Sequence, residues 1–459
     1  MNKALPPGIR PRSRSLLALA CLLAVAAPTG AEEVDPADLI AAEAAAPAPR
    51  PRAAEQRLLP GLKGHLQFEL ARTVADPEHW SKARARADLS AQGNLGDGIK
   101  WKLGGRFDYD AAYTHSDFYP PEVKQNQRAG AALRENYLDI SRGDWDFRLG
   151  KQHVVWGEMV GMFFADVVSA RDLREFILPE FEALRIPQWA ARAEYFKDDF
   201  HAEFLWIPVA SYDQIGRPGG DFYTWQPVPV ANSVYLREQH PKANADHMNY
   251  GIRLSALKNG WDMSGFVYSS MDNQATFYRT LVPGPQPFVF SPRHERINQV
   301  GGTIAKDFGS VVFKSEAVYT AGRRYGVPGN FLDADGVVRQ NTLDWAAGLD
   351  FTFEDETRFN VQLFQRTFFD HDPNIVPDKH ENGYSLYLSR KFADRLEGQA
   401  LFISSFNRPD WVFRPKLIWN FEKNWRLTFG ADVFYGPQLG FFGQYDNKDR
   451  LYSEIRYAF

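Results

Sequence analysis

The residues best placed to do chemistry are the polar ones of Arg148-Leu-Gly-Lys-Gln-His-Val-Val-Trp-Gly-Glu158 and of the stretch Asp166-Val-Val-Ser-Ala-Arg-Asp172 that follows. Arg148, Lys151 and Gln152 stand on a strand-like run, and Glu158, Asp166 and Asp172 come soon after it. Cations on one element facing carboxylates on the next can form an ion-pair latch, and the same groups could equally hold a polar ligand. Arg148, Gly150 and Gln152 share one strand face, which leaves Lys151 on the other; a bulge at Gly150 is expected to turn it inward. Catalytic spacings are missing. The ten histidines contain no H-E-x-x-H, and there is no G-x-S-x-G turn and no Walker-type loop. Asp333-Ala-Asp-Gly336 begins like a calcium loop but lacks the later ligands and the closing Glu. No catalytic residue, metal or cofactor is therefore expected.

These groups must be carried by something, and the two ends of the chain say what. Lys3, Arg10, Arg12 and Arg14 precede the apolar stretch 16–27 and Thr29-Gly-Ala31, the layout of a secretory signal peptide over 1–31. The single cysteine, Cys21, falls inside that signal, so no thiol chemistry or disulfide is expected after cleavage. Removing the signal takes away four positive charges and leaves 49 basic against 57 acidic residues, which disfavours nucleic acid as a partner. Residues 32–62 are rich in Ala and Pro and read as a flexible periplasmic tail, available to a periplasmic partner.

From 63 to 459 the sequence alternates with period two. Ile455, Tyr457 and Phe459 alternate with Glu454 and Arg456; a strand with one aromatic face and one charged face suits lipid on one side and a watery lumen on the other. Eighteen such segments are expected, near 64–75, 80–93, 98–113, 131–143, 144–155, 187–198, 199–208, 246–258 and 260–271 in the first half. The second half supplies 293–307, 309–321, 340–354, 356–369, 380–393, 394–406, 408–423, 425–436 and 449–459. Short Asn, Asp and Gly turns alternate strictly with long connections, as periplasmic turns alternate with external loops in a transmembrane up-and-down antiparallel β-barrel. A soluble sandwich would use shorter strands. The 157–180 segment loses the two-residue period, and Phe163, Val167, Leu173 and Phe176 fit one side of a helix. Such a helix is expected to fold inward and narrow the lumen, or to cap its rim. A Pro- and aromatic-rich stretch, 215–240, could form an entry surface for apolar ligands, and is expected rather to pack on neighbouring loops.

With this phase, the expected channel lining is Arg84, Arg86, Asp88, Lys100, Lys102, Arg106, Asp108, Lys314, Glu316, Arg414, Lys416, Arg426 and Asp432. Ile455, Tyr457 and Phe459 are expected to form the signal read by the barrel-assembly machinery, with outer-membrane lipid as the surrounding partner.

The run 148–158, the stretch 166–172 and Glu180-Phe-Glu-Ala-Leu-Arg-Ile-Pro187 together resemble a family of porin-like outer-membrane β-barrels with a pattern close to R-x-G-[RK]-Q-x-x-x-W-G-E. Alginate-export barrels look like distant cousins. The likeness covers about 140–215, with Lys151 where Arg is usual and Ser169-Ala170 where Asn-Pro is common. It implies a Gram-negative outer-membrane barrel with polar clusters folded inward, and it implies no substrate. The function expected is passive passage of small or amphiphilic solutes through the outer membrane. The alternatives are the outer-membrane part of an export system handling lipids or polymers, and a barrel-embedded hydrolase that gathers Ser, His and an acid from separate strands.

Overall fold

The computed structural model describes residues 61–157, 159, 161–224, 233–328 and 335–459. The signal peptide and nearly all of the expected tail lie outside the described residues, as do Glu158 and the first two residues of the 333–336 stretch.

Eighteen antiparallel strands close into a barrel. They are β1 (Leu62–Thr73), β2 (His79–Gly96), β3 (Ile99–Asp110), β4 (Ala129–Leu133 and Asn136–Arg142), β5 (Trp145–Gln152) and β6 (Gln188–Lys197). Next come β7 (Phe200–Val209), β8 (Asn249–Lys258), β9 (Trp261–Met271), β10 (Arg296–Asp307), β11 (Val311–Gly326) and β12 (Val337–Thr352). The last are β13 (Arg358–Phe369), β14 (His380–Ala393), β15 (Leu396–Ser405), β16 (Trp411–Glu422), β17 (Trp425–Tyr435) and β18 (Arg450–Ala458). Each pairs with its neighbour in sequence, and β1 pairs with β18 in the register Phe68↔Ile455. Closure leaves no edge, which a bilayer demands because lipid cannot satisfy unpaired backbone groups.

Alternation in the sequence becomes two faces. Phe429 is 51% exposed on the outside of β17 while its neighbour Thr428 is 6% exposed inside. Leu66, Phe107, Leu149, Phe204, Val267, Val300 and Leu363 continue the exposed apolar band around the wall. Aromatic contacts sit at both rims: Trp425, Tyr457 and Phe459 beside the short turns, Phe402, Trp411 and Tyr435 beside the long loops. The Asn259-Gly260 turn has both residues at positive φ, 54° and 73°, the backbone that a two-residue hairpin favours.

Three local expectations are corrected. The register runs through Gly150 without a bulge; this glycine instead takes φ +131°, and a Cβ there would lie 2.3 Å from the Asn136 carbonyl oxygen. The connection after β9 carries a hairpin of its own, Thr276–Leu281 with Phe288–Arg293, joined by the parallel segment Ser233–Tyr235. And no helix forms among the described residues of 157–180; a single turn, Phe181–Leu184, follows it.

Two clusters of buried apolar residues tie the connection between β5 and β6 to the inner wall. One cluster joins Trp156, Ala165 and Val168 to inward-facing Leu205, Ile207, Phe266, Tyr268 and Val318. A second joins Phe176, Leu178 and Phe222 to Ile403, Val412, Phe434, Phe442 and Tyr445. Both contain residues from the connection between β5 and β6, so that segment has a core partner on each side of the lumen.

Candidate functional site

Gln152 and Gln188 face one another where β5 and β6 leave the wall, and the 153–187 connection between them passes into the lumen. Its first anchor is Trp156, fully buried, tilted against Phe266 and edge-on to Tyr268 at 5.0 and 5.6 Å, with Nε1 donating to Glu203 at 3.0 Å. Gly157 follows where a Cβ would come within 2.8 Å of the Asp166 backbone nitrogen.

An extended segment crossing a lumen has backbone groups without ladder partners, and these must be satisfied. Here wall side chains do it. Glu316 of β11 accepts the N–H groups of Phe164 and Ala165, and Gln362 of β13 donates to the Met162 carbonyl. From the other side, Arg414 of β16 donates to the carbonyls of Ile177 and Leu178. Arg106 of β3 donates to Ala183 at 3.1 Å, and Arg134 to Glu182 and Arg185 at 2.9 and 2.8 Å. The N–H groups of Phe164 and Ala165, spent on Glu316, are not free for helical i→i−4 bonds, which works against the expected helix.

Charge completes the attachment. Glu175 accepts Lys82 and Arg84 of β2, the latter at 2.5 Å, while Glu69 of β1 pairs with the same two cations at 2.8 Å. Arg450 of β18 lies 3.7 Å from Glu175 and joins Asp432 at 2.8 Å, and Asp432 also takes Arg414 at 2.8 Å. Burial alone would raise the Glu175 carboxyl, but Arg84, Lys82 and Arg450 outweigh it and hold Glu175 well below the usual carboxylate range. Toward the short turns, Glu180 sits 3.8 Å from Lys416 and 3.6 Å from Arg426. A polar crevice of about 30 Å³ remains between residues 172–183 and β2–β4, lined by Arg84, Arg86, Asp108, Asp172, Arg174 and Glu175 among others.

The predicted residues fall as follows. Arg84, Glu316, Arg414, Lys416, Arg426 and Asp432 are inside the barrel, and they hold the loop instead of facing open water; Asp432 and Glu316 are 0% and 2% exposed. Arg86 pairs with Asp108 at 2.6 Å, Arg106 with Asp88 at 2.9 Å, Lys102 with Glu135 at 2.5 Å and Lys314 with Asp350 at 3.3 Å, all on the inner wall. Lys100 is exposed beside the turn at Asp97-Gly98. The proposed latch is corrected. Arg148 is taken up by Asp139 on adjacent β4 (2.8 and 3.1 Å) and lies over Tyr137. Gln152 donates to the carbonyls of Arg148 and Ala190, Asp166 pairs with Arg185, and Asp172 with Arg174. Lys151 makes no ion pair among the described residues, and Glu158 lies outside them. Lys82, Gln362 and Arg450 of the wall and Glu175 of the loop join this latch, with Glu69 as counter-ion to Lys82 and Arg84, and sequence spacing does not show them because the wall and loop partners are far apart in the chain.

In the terminal strand, Tyr457 and Ile455 pair with Leu66 and Phe68, and the Phe459 backbone exchanges two 3.0 Å bonds with Gly64. Above the loop, the described part of 215–240 packs as expected: Phe222 meets Phe434 and Tyr445, and Asp221 takes His79 at 3.0 Å, Tyr119 at 2.6 Å and Lys448 at 3.3 Å.

Two solved structures from Acinetobacter baumannii share the architecture. OccAB1 superposes with a TM-score of 0.52 at 9% identity, covering 88% of this chain and 97% of that one. OccAB4 gives a TM-score of 0.50 at 12% identity, covering 87% and 97%. At these identities the likeness speaks to fold alone, a closed antiparallel β-barrel. No curated protein matches the sequence. A family profile described as "Protein of unknown function (DUF1302)" matches residues 78–459, nearly the whole described barrel, and the chain belongs to that family.

Proposed function

We propose that this barrel resides in the outer membrane and is a channel for passive passage of small or amphiphilic solutes, with the 153–187 loop as its constriction. The observation that carries this reading is the suspension of the loop across the lumen between Glu316 and Gln362 on one side and Arg84, Arg414 and Arg450 on the other. A loop spent only on capping the rim would not need inward-facing partners on so many wall strands. The inner surface mixes aromatic clusters with paired charges, which supports solutes having both a polar and an apolar part. No chemical step is part of this reading: the polar groups named above act as ties, and the work done is selection by size and polarity. Liposome swelling tests it. Refolded protein should make vesicles permeable to small polar solutes and progressively less so to larger ones; vesicles that stay impermeable with correctly folded protein would count against a channel.

A further inference from the structure

Outside the membrane-spanning strands, two loops bring together a group of side chains that the channel reading does not use. Gln239 bridges to Arg293 in parallel, its N–H donating to the Pro292 carbonyl at 3.0 Å. Glu238 and His240 flank Gln239 on an extended segment and so project to the same side, while His294 follows Arg293 directly. The backbone pairing therefore delivers one carboxylate and two imidazoles to one point. Glu238 Oε1 lies 2.8 Å from His294 Nε2 and 3.1 Å from His240 Nε2, and one ligand atom from each residue falls within 4.8 Å of the other two.

The hydrogen-bond direction at His294 is informative. Its Nδ1 faces the Asp272 carbonyl oxygen at 2.8 Å, which can only accept, so Nδ1 carries a hydrogen. In the neutral ring Nε2 then presents a lone pair, and it points at a carboxylate oxygen that also has only lone pairs. A proton, carried by the ring or by the carboxyl, or a metal ion is needed to bridge them. An Nδ1–H donated to a backbone carbonyl is also how metal-binding imidazoles are commonly oriented. His294 is 6% exposed, and Tyr212 packs on it with ring centroids 3.9 Å apart, so the ring cannot turn away. His240 is largely exposed and leaves one side of the group open to solvent.

We propose that Glu238, His240 and His294 form a binding site for a divalent transition metal of the zinc class, with water completing the coordination. Two imidazoles and a carboxylate are a borderline donor set that suits Zn²⁺ and not Ca²⁺ or Mg²⁺, which call for oxygen ligands. In a tetrahedral zinc site neighbouring ligand atoms stand about 3.3 Å apart, so the two pairs that involve Glu238, at 2.8 and 3.1 Å, need to open by about half an ångström or less. The ion would tie the 233–240 segment to the 276–293 hairpin at the mouth of the barrel. The sequence gives no motif for it because Glu238 and His294 are 56 residues apart.

The test uses the full barrel without an affinity tag, refolded in detergent, stripped with EDTA and titrated with Zn²⁺ by calorimetry; Co²⁺ absorption reports the ligand set. One saturable site per chain is expected, with at least about tenfold weaker binding in His240→Ala and loss of the site in Glu238→Gln and His294→Ala. Heat-modifiable gel migration shows whether each variant has folded. If buried His294→Ala does not fold, His240→Ala decides, since that ring is exposed. Absence of saturable binding in the unaltered chain, or equal affinity in unaltered protein and folded variants, overturns the proposal. Neither result depends on whether the barrel conducts.

Discussion

Arg84 of β2 donates through Nη1 to Oε1 of Glu175 at 2.5 Å, joining the wall of the barrel to a loop 91 residues further along the chain. The pair is mostly buried, its side chains 12% and 13% exposed, and Lys82 and Arg450 crowd the same carboxylate, so three cations depend on Glu175 and two other acids for neutrality. Removing one member of such a buried network costs more than the network contributes, because the remaining charges lose their compensation.

Glu175→Gln should therefore release the loop. The cost is on the order of 3–5 kcal/mol if the cations stay buried, and it falls if the loop lifts and lets water reach them. Limited proteolysis within 170–180 of the folded barrel checks this: faster cleavage with unchanged heat-modifiable migration is expected, and unaltered resistance would show that the ion pairs are dispensable.

Arg148→Glu should not loosen the loop. Arg148 is spent on Asp139 of the neighbouring strand, so reversing its charge places two carboxylates side by side within the wall. The expected result is a modest loss of barrel stability, with the loop's protease resistance kept. Faster loop cleavage in this variant would restore the latch that the sequence suggests and the structure does not show.

Phe429→Arg should cost about 2–4 kcal/mol if Phe429 lies near the bilayer midplane, since this side chain is 51% exposed on the outer face in the middle of β17. Urea-unfolding midpoints in lipid vesicles would show the loss. A midpoint equal to that of the unaltered barrel would mean that the inside and outside of β17 are exchanged.

Asp213 gives a pH-dependent prediction. It lies in the loop after β7 and accepts the Arg171 N–H at 2.8 Å, and burial pushes its carboxyl up to about 6 from the ordinary 3.8. A buried acid whose value is raised stabilises the fold while protonated, and that contribution is lost as the pH rises from about 4 to about 6. Asp213→Asn should thus stabilise the loop at pH 7.5, by at most about 3 kcal/mol, and leave it unchanged at pH 4. Protease resistance measured at both pH values decides; an equal effect at both would remove ionisation as the cause.

The barrel was legible because its physics is local: alternation such as Trp425, Leu427 and Phe429 against Arg426 and Thr428 requires only a strand between lipid and lumen, and the turns carry their own Asn and Gly. The loop was legible only in part. Phe163, Val167, Leu173 and Phe176 have helical spacing, yet Val167 packs against the Trp156 cluster and Phe176 against the Phe434 cluster, on opposite sides of the lumen. Helical periodicity misleads where a segment has two partners in place of one. Phe176 even takes a positive φ of 55° to make that turn. The ties to Glu175, Glu316 and Gln362 left no trace in spacing, because a wall strand and a luminal loop can meet at any sequence separation.

Single-channel conductance in planar bilayers decides whether the 153–187 loop constricts the lumen. Gln152 and Gln188 stand opposite one another, so replacing 155–185 by a short Gly-Ser turn can reconnect β5 to β6 while the wall keeps its own hydrogen-bond ladder. If the loop is the constriction, the shortened barrel should conduct several times more current and pass larger solutes than the full chain. Equal conductance in the two, with both correctly folded, would mean that the loop does not limit passage and that the account of the site is wrong.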